Sequence, residues 1–232
     1  MQAVIEKQSY TIQQLMELDQ HEAVEKIKQW WYQHGSDYQW WDDTYERFKE
    51  EGYELGFLIG KMYFSGFYSQ GDGASWSGQI DIVAWLRAHT EDSIAREAWI
   101  QLINEGWANK HIPVGQSGRY CHSDTMSVAY WDGMIGDPES IQDLEPSHQL
   151  MQQESIFKGM NALDLLNLIT SSDFPYKSMA DIAEAIEQSA RDYADELYKQ
   201  LREEYEYITS TENLIEMCDI NDWKFNNEGE MV

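Results

Sequence analysis

Three side chains in the sequence could do acid–base or metal chemistry together: Asp72, His122 and Asp124. Two carboxylates and an imidazole can bind a divalent ion, or divide the roles of proton donor and acceptor, because the imidazole titrates near neutrality while the carboxylates stay charged. The His122-x-Asp124 spacing is common by chance, and it names no metal, cofactor or reaction. Nucleophilic chemistry has weaker support. Ser69 and Ser75 lie outside a Gly-x-Ser-x-Gly elbow, Cys121 would point away from His122 on a strand, and no Gly-Lys-Ser/Thr follows Gly71-Asp72-Gly73. The competing reading is that these glycines permit a tight turn and these hydroxyls satisfy backbone groups.

The elements that would position the three residues are two hairpins. Residues 63–78 interleave aromatic, hydroxyl and glycine residues more densely than any other stretch. Residues 63–82 read as a hairpin turning at Gln70-Gly71-Asp72-Gly73, and residues 111–131 as a second hairpin turning at residues 115–118. Strand alternation in the second puts Tyr120, His122, Asp124 and Met126 on one face. Upstream, Thr11 with Gln14, Asp19 with Glu22 and Ser36 with Gln39 have capping-box spacing, and Gly35 and Gly52 read as stops. Strand character begins at Tyr53, helices follow Ile82 with a break near His89 and Thr90, and residues 132–147 read as an exposed connection. A helix over residues 148–169 is followed by a break at residues 171–175. A long helix over residues 179–207 comes next, with Ile182, Ile186, Ala190, Tyr193, Leu197 and Leu201 on its apolar face. Thr211 caps a short final helix, and residues 223–225 are expected to dock on the sheet. The predicted class is α+β in a single domain over residues 1–232: an antiparallel sheet built from two hairpins, flanked by helices that include a long acidic C-terminal helix.

Charge narrows the function classes. The 232 residues hold 16 Lys and Arg against 42 Asp and Glu, a net of −26, which disfavours unaided binding to a phosphate backbone and suits a basic protein partner, the expectation here, or a solvated, soluble surface. Residues 181–232 carry 15 acids and 4 bases. Carboxylates four residues apart on a helix lie about 6 Å apart along its axis, a spacing able to imitate a run of phosphates. The candidate binding residues are Glu187, Asp195, Glu196, Glu203, Glu204 and Glu206, together with Tyr68 and Trp76 of the first hairpin. Two cysteines, Cys121 and Cys218, give no disulfide framework. The sequence shows neither a secretory leader nor a bilayer-length apolar run, and a cytoplasmic protein is expected.

Residues 64–76 (Phe-Ser-Gly-Phe-Tyr-Ser-Gln-Gly-Asp-Gly-Ala-Ser-Trp), 118–126 (Gly-Arg-Tyr-Cys-His-Ser-Asp-Thr-Met) and 197–210, which includes Glu204-Tyr-Glu-Tyr-Ile-Thr-Ser210, resemble in order a family of phage and prophage proteins sometimes labelled antitoxin-like. The resemblance spans residues 40–225. Tyr68 stands where that family commonly has Trp, Trp76 where it commonly has Phe, and residues 132–175 form a longer segment. The resemblance implies phage origin. The leading expectation is a phage-derived acidic protein that neutralises a host or phage protein in counter-defence. The alternative is a metal-dependent hydrolase or nuclease using Asp72, His122 and Asp124.

Overall fold

Aromatic and branched residues on either side of a glycine-rich turn fold as an antiparallel pair, β1 (Phe57–Phe64) and β2 (Ala74–Asp81). In the computed structural model, which describes residues 9–35, 40–129 and 156–232, β3 (His111–Gln116) pairs antiparallel with β2, and β4 (Met126–Val128) with β3. The order β1-β2-β3-β4 is the sheet of two hairpins that the sequence predicts. Its register shifts between Ile59 and Lys61, opposite Gly78. A Cβ on Gly78 would lie 2.2 Å from the Leu58 carbonyl oxygen, so this close approach admits only glycine.

The chain groups into two compact units, residues 45–198 and residues 1–44 with 199–232. In the first, β2 runs directly into α4 (Ile82–His89), because Asp81 Oδ1 accepts from the N–H groups of Val83 and Ala84 at 3.0 and 3.1 Å. Ile82 therefore starts a helix instead of closing the strand. Then come α5 (Ile94–Asn104), capped by Ser93, and α6 (Ala162–Ser171), which packs on α5. The long helix α7 (Met179–Ile208) follows its predicted stripe: Ile182, Ile186, Ala190, Leu197 and Leu201 are all buried. It is held to the sheet by polar contacts as well. The Trp76 indole N–H donates to Ala190 O at 3.2 Å, and Val128 N–H donates to Glu187 Oε2 at 3.0 Å. The Tyr193 ring stacks on Phe48 of α3 (Asp42–Glu54), and its hydroxyl donates to Phe48 O at 2.7 Å. Burial, with the charge of Glu51 second, raises the pKa of that hydroxyl far above its ordinary range.

The second unit contains α1 (Ile12–Glu17), α2 (His21–His34), α8 (Thr211–Ile220) and the C-terminal residues of α7 from Lys199 on. Ile12, Leu15, Ile27, Trp31, Leu214 and Phe225 share its core. Phe225 bridges to Tyr10 and Met231, so the expected docking partner of residues 223–225 is replaced by segments of this same unit. Burial pushes the Cys218 thiol up to about 11.

Several boundaries differ from expectation for local reasons. The Thr11–Gln14 capping box forms, but Asp19 takes a positive φ of 55° and Gln20, whose side chain makes no capping bond, precedes α2. Gly35 stays right-handed, and Gly52 lies inside α3, which extends to Glu54 and leaves no strand at Tyr53. Ser210, not Thr211, caps α8. The second hairpin is wider than predicted: residues 117–125 form a loop ending in a single 3-10 turn at Ser123–Thr125, so Arg119 to Asp124 do not alternate as a strand. The Ser36–Gln39 start signal, the connection at residues 132–147 and the first part of the 148–169 helix lie outside the described residues.

Candidate functional site

The first hairpin loop is a closed system of short-range bonds. Asp72 Oδ2 accepts from the backbone N–H groups of Tyr68 and Ser69 at 2.9 and 2.6 Å, and Asp72 N–H donates back to Ser69 O at 3.0 Å. Ser65 N–H donates to Gly73 O at 3.3 Å, while Ser65 Oγ accepts from Gly73 N–H at 3.2 Å. This is the Asx-type capping that a carboxylate provides in a turn. The second loop is built likewise. The Thr125 hydroxyl lies 2.6 Å from His122 O and 3.2 Å from Tyr120 O, the Gln116 amide donates to Tyr120 O at 2.6 Å, and Ser117 donates twice to Thr125 O.

The two loops touch, as a site joining the hairpins requires, but they touch through backbone and ring. A Cβ on Gly71 would lie 2.5 Å from the Tyr120 ring, and one on Gly73 would lie 2.8 Å from Cys121 O. His122 is half-buried beside Gly73, and Asp124 is exposed in the 3-10 turn. With Asp72 turned onto its own loop and residues 119–125 off the strand, no shared strand face presents these groups. No group of three His, Cys, Asp or Glu among the described residues is placed to hold a metal ion. The bonds from Asp72, Ser65, Ser117 and Thr125 brace the ends of the two hairpins.

The aromatic members of the proposed binding set separate. Trp76 is fully buried against Phe57, with its N–H committed to Ala190 O, which removes it from any surface. Tyr68 is 75% exposed at the loop tip. Among the acids, Glu187 is engaged twice: Oε2 accepts from Val128 N–H, and Oε1 pairs with Arg191 at 2.7 Å, whose guanidinium donates to Met126 O. Asp195, Glu203 and Glu206 are exposed on α7, and Glu196 and Glu204 are partly covered. Tyr207 shows the local field. Its hydroxyl pKa is raised first by its hydrogen bond to Glu216 at 3.2 Å and then by the charges of Glu216 and Glu204.

A second region was invisible in the sequence. Residues 89–95, between α4 and α5, meet residues 168–176, between α6 and α7, around a cleft of about 770 Å³. Ile94, Leu168, Phe174, Pro175 and Tyr176 give it apolar walls, and Glu91, Asp92 and Asp173 stand at its rim. His89 also lines it. The ring stacks on Trp85 at 5.0 Å and its Nδ1 lies 3.0 Å from Trp85 O, which can only accept, so Nδ1 carries the proton. Burial lowers the His89 pKa, only partly countered by that bond, and the ring is neutral at pH 7. Both stretches read in the sequence as helix breaks, and nothing local to either says that they meet.

No helix among the described residues is long and apolar enough to cross a membrane. No curated protein and no solved structure matches the chain. A family model described as a domain of unknown function, DUF8835, matches residues 40–211, which include both hairpins, the cleft and α7 through Ile208, and the chain belongs to that family.

Proposed function

We propose that the protein is an acidic binding protein that engages and neutralises a basic protein of a phage or of its host. The observation that carries this reading is the set of exposed carboxylates on α7: Asp195, Glu203 and Glu206 have no ion-pair partner among the described residues, in a chain of net −26. Carboxylates held at helical spacing without an ion-pair partner keep their field for an incoming partner, and that field accelerates encounter with a basic surface. Lys199 and Arg202 interrupt the series, so the acids form two short groups, residues 192–196 and 203–206, and not one continuous phosphate-like run. The closure of Asp72 onto its own loop favours this reading over a hydrolase. Recovery of the tagged full-length chain from producing cells is expected to yield a stoichiometric basic protein. Replacing Glu203, Glu204 and Glu206 by Gln should weaken that complex and flatten its salt dependence without unfolding the chain. Repeated recovery of the chain alone would overturn the proposal.

A further inference from the structure

The cleft between residues 89–95 and 168–176 has a chemistry that specifies its occupant. Its volume of about 770 Å³ lies within the range of sites that enclose a small ligand or a few side chains. The walls are apolar, and Ile94 among them is 62% exposed at the start of α5. The charge around it is one-sided. Glu91, Asp92 and Asp173 line it, and no Lys or Arg does among the described residues.

Two cations, Arg96 and Lys177, bond to residues that line the cleft. Arg96 is nearly buried and pairs with Asp92 and Glu97, and it also donates to Thr90 O. Lys177 donates to the carbonyls of Ile169 and Ser172. The C-termini of α4 at His89 and α6 at Ser171 border the cleft, but their carbonyls are already engaged: Leu86 O accepts from the Thr90 hydroxyl and Ile169 O from Lys177. The N-terminus of α5 also lies there, but Ser93 Oγ already accepts from its Arg96 N–H at 3.1 Å. The charge left over is that of Glu91 and Asp173, which have no ion-pair partner among the described residues and would repel an anionic ligand, whereas a cation beside an apolar group meets complementary surface.

We propose that this cleft seats a short segment of the basic partner in which a large aliphatic or aromatic side chain is flanked by Arg or Lys. The apolar residue enters against Leu168, Phe174 and Tyr176, and its cationic neighbours reach Glu91 and Asp173 at the rim. The proposal rests on the binding reading above and gives that reading a second contact point, remote in sequence from residues 203–206. Asp92, through its pair with Arg96, positions the rim loop and does not serve as the main contact.

The test titrates the isotope-labelled full-length chain with three capped tripeptides, Arg-Leu-Arg, Gln-Leu-Gln and Glu-Leu-Glu, and follows the amide signals of Thr90, Ile94, Ser172 and Tyr176. The Arg peptide should shift these signals and bind most tightly, the Gln peptide weakly and the Glu peptide not at all. Raising the salt should weaken the first alone. The double variant Glu91→Gln with Asp173→Asn should reduce affinity for the Arg peptide about fivefold, as expected for two partly solvated ion pairs. Leu168→Trp should fill the cleft and abolish the shifts. Ile94→Lys, at an exposed position, provides a second blocking variant should Leu168→Trp disturb folding. Equal binding of the three peptides, or shifts that avoid the cleft, would overturn the proposal. Capture of the basic partner separates the two readings. A partner retained undiminished by both blocking variants would refute the cleft while leaving the binding reading intact. Absence of any basic partner would refute the binding reading, and the peptide titration would still decide the chemistry of the cleft.

Discussion

The loop pair at residues 65–73 and 117–125 and the cleft at residues 89–95 and 168–176 are both places where two connections of the same unit meet, and they have opposite characters. The loop pair is dense in residues that could do chemistry, yet the Asp72, Ser65, Thr125 and Ser117 side chains are occupied by backbone groups of the loops themselves. The cleft has a plain sequence, and its acids face outward at the rim of an apolar hollow. The difference is one of hydrogen-bond accounting. A tight loop leaves backbone N–H and C=O groups without ladder partners, and nearby short polar side chains are the cheapest way to satisfy them. Thr90, Ser93, Ser171 and Ser172 at the cleft are claimed by backbone in the same way, and the difference lies in Glu91 and Asp173, exposed carboxylates that no turn takes up.

That contrast can be broken by substitution, beginning with the largest effect. Trp76→Ala removes a fully buried indole from the strand that follows the first loop, and chemical denaturation should show a loss of about 3–5 kcal/mol. Gly71→Ala comes next. With φ at 100° and the Tyr120 ring where the methyl group would go, the loops must part, at a cost of about 1–3 kcal/mol. Asp72→Asn keeps an oxygen able to accept from Tyr68 and Ser69 and should cost at most about 1 kcal/mol, with partner binding unchanged. A loss of function in Asp72→Asn and His122→Ala at unaltered melting temperature would reverse the comparison and make the loop pair the active region.

The cleft should respond weakly in stability and measurably in pH and binding. His89 is held neutral, so its folded pKa lies below the unfolded value of 6.5. Its contribution to stability is present above pH 6.5 and is lost as the pH falls through the folded pKa, because the unfolded chain then binds the extra proton. The stability advantage of the wild type over His89→Asn at pH 7.5 should accordingly shrink on acidification. A difference that stays constant from pH 7.5 to 5 would place His89 in a more solvated setting. Smallest of all, Asp173→Asn should change stability by no more than about 0.5 kcal/mol, as expected for an exposed side chain, while weakening any cationic ligand.

Local pattern was enough to determine a good deal of this protein. The three-and-four spacing of Ile182, Ile186, Ala190, Leu197 and Leu201 determined α7, and the turn residues between two aromatic stretches determined the first hairpin, because helical and strand periodicity act within a few residues. The capping box at Thr11 was legible for the same reason. So was the net charge of −26, which needs no fold to be read. Only the tertiary structure decided what lay inside and what lay together. Trp76 and Tyr68 look equivalent as aromatic residues flanking one turn, but the packing of α7 on β2 buries the first and leaves the second at the tip. Glu187 and Asp195 are acids on the same helix, but only Glu187 meets the N–H of Val128. Leu168 and Ile94 lie more than seventy residues apart, and their meeting around a cleft is a property of α6 packing on α5, a long-range contact whose free energy depends on the shapes of both helices and is written in neither stretch alone.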